Sequence, residues 1–356
     1  MANPVPQPAA PRASVIIVVY NAQADLARCL RSLHDAGHQQ DEIIVVDNAS
    51  SDGSAAMVEA SFPSVRVVRS EHNVGFGEGN NLGAAQARGR ILAFLNPDTL
   101  VEPGWLDALI AALDRSPKVG MATSKILLRE DREHINTCGG DTHLTGLTLC
   151  RGMGKHRDEL ADTTAVGAVS GAAFAMRRDL FERLGGFDGS FFMYMEDTDL
   201  SWRVRLAGYT CVYVPQSVVY HRYNLRIGPD KTYYQERNRY LMLLKGLRWP
   251  TLLVMLPALL LGEIVTWGFV LLNDRPRWRN KMRAYGYVVR HWPAIMAERR
   301  RVQAQRGAAD QTLLRQTTHH LAYEQTGDSL AVSLAHWVFD PLFLLFRQAA
   351  LAATRW

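Results

Sequence analysis

The chain has 356 residues, 47% of them apolar and 21% charged, so it is too apolar to be disordered and long enough for one large core or two modest domains. The net charge of +5 is mild and singles out no nucleic-acid partner. Cys29, Cys138, Cys150 and Cys211 form no CxxC pair, which argues against a zinc site or a disulfide framework and fits a reducing compartment. The first residues, MANPVPQPAAPRAS, lack a basic stretch followed by an apolar one, so residues 1–13 read as a disordered lead and not as a secretory signal.

Residues 14–20 (SVIIVVY) and 42–47 (EIIVVD) are β-branched runs of the kind found in buried parallel strands. Between them, residues 24–36 place Leu26, Leu30 and Leu33 on one helical face. A short helix over 54–61, a strand over 65–69, a helix over 78–88 and a strand over 91–95 follow. Strands alternating with helices at this spacing predict an α/β fold, a mostly parallel sheet with helices on both faces. Residues 120–165 look irregular, 170–176 read as a strand, 197–207 as a helix, and 212–214 and 218–221 as short strands.

The composition changes at Trp249. Residues 249–272 are long enough to span a bilayer, where ~20 apolar residues suffice. Pro257 and Glu263 argue instead for a re-entrant or interfacial hairpin. Residues 275–306 carry ten Lys or Arg against Glu298 alone and are expected to lie on anionic headgroups. A last apolar stretch over 331–352, interrupted by Asp340-Pro341, would make a second shallow contact.

Several motifs carry polar chemistry. VVDNASSDGS delivers Asp47 and Asn48 to a strand end, where they suit a ribose or base, or simply a βα turn. NVGFGEGNNLG departs from the dinucleotide fingerprint, because Asn80 stands where a third glycine is needed. In LNPDTL a strand runs into Asp98, which suits a hard cation or a turn. FFMYMEDTDLSWR crowds Glu196, Asp197 and Asp199 beside large apolar groups, which suits a base or an acidic helix start. His221 lies just past a strand in VVYHRYN.

Taken in order, these motifs resemble the family 2 glycosyltransferases of the GT-A (Rossmann-like) fold, and especially the rhamnosyltransferase-like members that build bacterial surface polysaccharides. The block SGAAFAMRRDLFERLGGFDGSFFMYMEDTDLSWRVRLAGY over 170–209 is the most specific part. The resemblance implies a GT-A domain over 14–245 and a helical, membrane-associating region over 246–356. It implies that Asp197 is the catalytic base and that Asp98 and His221 hold a divalent cation, Mg²⁺ or Mn²⁺. Asn96 stands where the family has the first carboxylate of its aspartate-x-aspartate motif. Tyr20, Asp47, Asn48, Asn73, Gly75, Asn80, Asn96, Gly171 and Arg237 are the implied contacts to a nucleotide-diphosphate sugar, dTDP- or UDP-linked. The Gln-x-x-Arg-Trp motif of processive synthases is absent, and Glu236-Arg237-Asn238-Arg239-Tyr240 stands near its place. One base and no matched nucleophile imply single displacement, hence inversion. The acceptor would be a lipid-linked or other glycan hydroxyl, at the cytoplasmic face of the bacterial inner membrane, with the protein peripheral or monotopic. A nucleotidyltransferase, or a non-catalytic scaffold with a degenerate transferase domain, are the competing readings. The first would need a basic glycine-rich loop after the first strand, and VVYNAQADL offers neither glycine nor lysine.

Overall fold

The computed structural model describes residues 11–223, 230–273, 275–322 and 330–354; for Asn273 and residues 330–335 it describes the backbone alone. Most of the expected lead, residues 1–10, lies outside the described residues. The chain begins β1 (Ala13–Val19), α1 (Gln23–Asp35), β2 (Glu42–Asp47), α2 (Ser54–Ser61), β3 (Arg66–Arg69), α3 (Gly75–Gln86) and β4 (Ile91–Leu95). It continues β5 (Thr99–Val101), α4 (Trp105–Arg115), β6 (Val119–Leu128), β7 (Ile135–Thr137), β8 (Gly140–Thr142), β9 (Thr148–Cys150), β10 (Thr164–Ala165) and β11 (Ala173–Arg177). Then come α5 (Arg178–Leu184), α6 (Glu196–Leu206), β12 (Thr210–His221) and α7 (Lys231–Gly246). The last helices are α8 (Trp249–Asn273), α9 (Trp278–Arg290), α10 (Trp292–Ala304), α11 (Asp310–Arg315) and α12 (Leu330–Ala353).

The main sheet runs β10-β12-β6-β11-β4-β1-β2-β3 among the described residues. Strands β3, β2, β1 and β4 pair in parallel, as the alternating pattern predicts. The other half is mixed, because β11 lies antiparallel between β4 and β6. Side chains alternate between two cores. Val15, Ile17, Val19 and Val45 face α1 and α4, while Ile16, Val18, Ile44 and Val46 face the opposite helices with Phe94 and Phe174.

Two elements that periodicity leaves unread complete the frame. Helix α4 buries Trp105, Leu106, Leu109 and Leu113 under β6, and β6 is a ten-residue strand where an irregular stretch was expected. The two short strands expected over 212–221 are one strand, β12, whose register shifts between Val214 and Val218. Pro215 and Gln216 fall in that irregularity, so the break in the pattern is a bulge and not a chain reversal.

Helices α6, α7, α8, α10, α11 and α12 share a third core that includes Trp202, Leu206, Leu241, Met255, Ile295, Leu313 and Phe343. Residues 249–273 form one helix, so the hairpin expected at Pro257 does not form. A proline inside a helix removes the bond to residue i−4 and costs ~3 kcal/mol. Here the carbonyl concerned is that of Leu253, on the exposed side, and the neighbouring Met255 and Ala258 are buried in the shared core. Glu263 is not left to the bilayer either: it pairs with Arg239 and Lys281 and accepts from Tyr240 and Tyr285. The basic stretch is also less uniform than its composition. Lys281, Arg299 and Arg306 turn inward, Lys281 to Glu236 and Glu263 and Arg306 to Asp310, while Arg275, Arg279, Arg290 and Arg300 are exposed.

Candidate active site

Strand register builds the acidic centre. Leu95, the last residue of β4, pairs with Ala173, the first of β11. The segments 96–98 and 170–172 therefore emerge side by side, and the Asn96 amide donates to the Ala172 carbonyl at 2.9 Å. Strand β5 then pairs with the end of β12, setting Thr99 opposite His221. This brings His221 Nε2 to 3.4 Å from Asp98 Oδ1. On the other side of the ring, Nδ1 lies 3.0 Å from Asn136 Oδ1. The imidazole thus bridges Asn136 and Asp98, one ring nitrogen facing each. Asn136 was not foreseen from sequence, because nothing in INT within an irregular stretch marks it.

Asp197, in the first turn of α6, is bonded to the segment that runs beside Asn96. Its Oδ2 accepts the Gly171 amide at 2.7 Å, and its Oδ1 accepts the Thr198 amide at 2.6 Å. Gly171 allows this close approach, since a Cβ would stand 3.2 Å from Asp197 Oδ2. The three carboxylates of the acidic turn part company. Asp199 is spent on Arg203 and Lys245, at 2.8 and 3.0 Å. Burial pushes the Glu196 carboxyl well up, with the Asp197 charge adding to it, and Glu196 Oε2 is buried without a hydrogen-bond partner among the described residues. Burial also raises Asp197, against the two amides that stabilise its charged form. Asp197 remains partly exposed and Glu196 does not.

The turn before Asp197 is strained. Phe192, Tyr194 and Met195 all have positive φ, at 62°, 65° and 67°. Helix α7 holds them there. Asn238 Nδ2 donates to the carbonyls of Phe191, Met193 and Tyr194, and Arg237 Nη2 donates to those of Ser190 and Phe191. Arg237 is buried and its guanidinium lies over Tyr233, Tyr234 and Tyr287. Arg237, expected among the contacts to the nucleotide-diphosphate sugar, donates here to backbone carbonyls. Asn238, which sequence reading passed over, is its partner in that clamp.

The glycine-rich loop is tied internally by the same residue types. Asn48 Nδ2 donates to Asn73 Oδ1 and the Gly75 carbonyl, at 2.9 and 3.1 Å, and Asn48 Oδ1 accepts the Val74 amide. Asn73 Oδ1 accepts the Gly75 amide at 2.9 Å. Asn80 is buried and caps the Phe76 carbonyl. Asn48, Asn73 and Asn80 hold the loop in shape. Gly75, at φ +84°, lets the loop meet the strained turn, because a Cβ there would stand 2.2 Å from the Phe192 carbonyl oxygen. Asp47 is buried at the end of β2, accepts the Ser50 amide at 3.1 Å and lies 3.9 Å from Arg69. Tyr20, at the end of β1, is 52% exposed. Between these strand ends Asn21, at φ +50°, ties the turns together by accepting the Ser51 amide.

The mixed sheet, with Asp98 just past the carboxyl end of β4 and the Asp197-bonded segment 170–172 at the amino end of the antiparallel β11, defines a GT-A-fold protein. Among solved structures, S. aureus TarS 1-349 in complex with UDP-GlcNAc matches with a TM-score of 0.54 at 17% identity, over 96% of this chain and 89% of that one. GalNAc-T7 with UDP, GalNAc and Mn²⁺ matches at 0.55 and 20% identity, over 67% of this chain and 48% of that one. An N-acetylglucosaminyl-diphospho-decaprenol L-rhamnosyltransferase of Mycobacterium tuberculosis is 31% identical over 239 residues, covering 61% of this chain and 78% of its own. The O-antigen biosynthesis protein RfbC of Myxococcus xanthus is 30% identical over 221 residues, 58% of this chain and 17% of that protein. Residues 14–185 match Glycosyl transferase family 2, and the chain belongs to that family.

Proposed function

We propose that the protein is an inverting, divalent-cation-dependent glycosyltransferase. It transfers a sugar, with rhamnose the first candidate, from a nucleotide-diphosphate donor to a hydroxyl of a lipid-linked saccharide. The observation that carries this reading is the Asp98–His221 pair, set by the β5–β12 register, with Asp197 bonded to Gly171 in the segment that the β4–β11 register lays along Asn96. One carboxylate oxygen and one imidazole nitrogen, the ring oriented by Asn136, fit Mg²⁺ or Mn²⁺. Such an ion, held by Asp98 and His221, supplies charge that offsets the leaving diphosphate. The relatives' names support the reading: one acts on a diphospho-decaprenol-linked sugar, and GalNAc-T7 is recorded with UDP and Mn²⁺.

The chain's own residues do the rest. Asp197 takes the proton of the acceptor hydroxyl as that oxygen attacks the anomeric carbon. The Gly171 and Thr198 amides fix its carboxylate, and the raised basicity from burial brings its proton affinity nearer to working pH. Burial, with the Asp197 charge, favours the uncharged form of Glu196, which limits the negative charge beside the base. Tyr20 and Asp47 are the contacts we assign to the nucleoside. Residues 14–245 act as the transferase domain and 246–356 as the membrane-associating region.

Association with the cytoplasmic face of a membrane rests on the helical side. Helix α8 is the one described helix long and apolar enough to cross a membrane, by length and composition. It exposes Leu253, Leu256, Leu260 and Ile264, and α12 exposes Trp337 and Leu345. Solvated surfaces rarely carry so many large apolar groups together. An apolar groove of about 360 Å³, lined by Leu243, Leu252, Leu259 and Val288, shares Val289 and Trp292 with the exposed set. The test is to incubate purified protein with nucleotide sugars, dTDP-rhamnose first, and a lipid-linked saccharide. Release of nucleoside diphosphate with glycosylated lipid supports the reading; pyrophosphate release from a nucleoside triphosphate and a sugar phosphate would point to a nucleotidyltransferase.

A further inference from the structure

A second cluster of ligand-type side chains lies away from the transferase chemistry, between α12 and the segment ahead of α12. His336 and Asp340 are four residues apart on α12 and so share one face. His320 approaches them from the preceding segment. Asp340 Oδ2 meets His320 Nδ1 at 2.7 Å and His336 Nδ1 at 3.0 Å. The two imidazoles stack, with centroids 4.8 Å apart and planes 14° apart. One donor atom from each of the three residues falls within 4.8 Å of the others. Among the described residues Asp340 Oδ1 is buried with no hydrogen-bond partner. A carboxylate that directs one oxygen at two imidazoles and buries the other unmet is a costly arrangement for a plain surface contact.

We infer that His320, His336 and Asp340 bind a borderline divalent cation of the Zn²⁺ class, which ties α12 to the body of the protein. Two nitrogens and one carboxylate oxygen match the donors Zn²⁺ and Co²⁺ take, and leave room for a water as fourth ligand. Mg²⁺ and Ca²⁺, which prefer oxygen donors, match poorly. The tie has something to hold. The Thr318 amide donates to the Thr142 carbonyl at 2.9 Å, the Leu144 amide to the Thr318 carbonyl at 3.0 Å, and the His319 carbonyl meets His143 Nε2 at 3.3 Å. The segment carrying His320 is thus anchored beside β8, whereas α12 carries the exposed Trp337, Val338, Leu342 and Leu345. A cation there would fix the angle of that apolar face to the transferase domain.

The experiment uses full-length protein carrying His221→Ala, so that uptake at the transferase centre does not mask the second site. Co²⁺ is the probe, read by its visible ligand-field bands, with His320→Ala added as the test. The His320 side chain is half exposed, so its loss leaves the fold intact, and far-UV circular dichroism checks this. The inference expects one Co²⁺ per chain with tetrahedral bands in His221→Ala, and at least ~10-fold weaker uptake when His320→Ala is added. It also expects Zn²⁺ to slow amide exchange across α12 only where His320 is present. Absence of Co²⁺ bands in His221→Ala, or uptake and exchange indifferent to His320→Ala, would overturn it and leave the three side chains as a hydrogen-bonded triad.

Discussion

His221 Nε2 stands 3.4 Å from Asp98 Oδ1 because β12 pairs His221 with Thr99, the residue after Asp98. The two residues are 123 positions apart in the chain, and backbone register, not local sequence, brings them together. Asn136, from β7, holds the imidazole from behind.

Chelation should therefore abolish transfer, and Mn²⁺ or Mg²⁺ should restore it. Asn136→Ala removes only the group that orients His221. Losses of this kind weaken metal binding ~10–100-fold, so the metal concentration for half-maximal activity should rise by that factor. A metal titration of both proteins reads it. An unchanged titration would show that His221 is not a ligand.

Asp197→Asn keeps shape and removes basicity. Turnover should fall at least ~10²-fold while donor binding, read by calorimetry, survives. In the wild type, kcat/KM should decline as pH falls through a pKa above the ordinary carboxylate range, since the base works only when deprotonated and burial raises Asp197. A flat profile down to pH 5 would contradict the assignment.

Glu196 makes a stability prediction. A carboxyl whose folded pKa lies above its unfolded one lowers stability as pH rises between the two. Burial, then the Asp197 charge, raises Glu196. Glu196→Gln should leave stability at pH 4 nearly unchanged and raise it at pH 8 by about 1 kcal/mol or more. Denaturant melts at the two pH values measure the difference, and equal shifts at both would refute burial of an ionisable Glu196 as the cause.

Asn238→Ala leaves the carbonyls of Phe191, Met193 and Tyr194 without their shared donor. Stability should fall by ~1–3 kcal/mol. Because the strained turn leads directly into Glu196 and Asp197, kcat should fall as well, with donor affinity kept. Normal kcat in a folded Asn238→Ala protein would show that the clamp is only structural.

On α8, Leu253, Leu260 and Ile264 lie on the exposed side. Changing the three to Glu should cut flotation with anionic vesicles at least ~10-fold, since each charge costs several kcal/mol in hydrocarbon. Circular dichroism should be unchanged. Undiminished flotation would remove α8 from the membrane contact.

What the sequence reveals divides along a physical line. Buried strands and their helices are local patterns, so β1, β2 and β4 and the helices α1 and α2 are readable within a residue of their observed ends. Asp98 and Asp197 are singled out by the resemblance that the ordered motifs carry, since a carboxylate at a strand end and an acidic helix start are each ambiguous alone. Asn136, Asn238 and the strain at Phe192, Tyr194 and Met195 depend on pairing between distant segments, which no local pattern encodes. The same holds for Arg237 and Asn80, polar residues that look available in sequence and are consumed by nearby carbonyls in the fold. Hydropathy misread Pro257 and Glu263 for a related reason: the cost of each is met by neighbours on the tertiary structure, the shared helical core for one and Arg239 with Lys281 for the other.

The most direct test of the central claim is the anomeric configuration of the product, followed by NMR as wild-type protein and Asp197→Asn act on the nucleotide sugar and lipid-linked saccharide that turn over. Single displacement with Asp197 as base predicts a product of configuration opposite to the donor, formed only with a divalent cation present and at least ~10²-fold more slowly by Asp197→Asn. A product that keeps the donor's configuration, or one formed at the wild-type rate by Asp197→Asn, would contradict it.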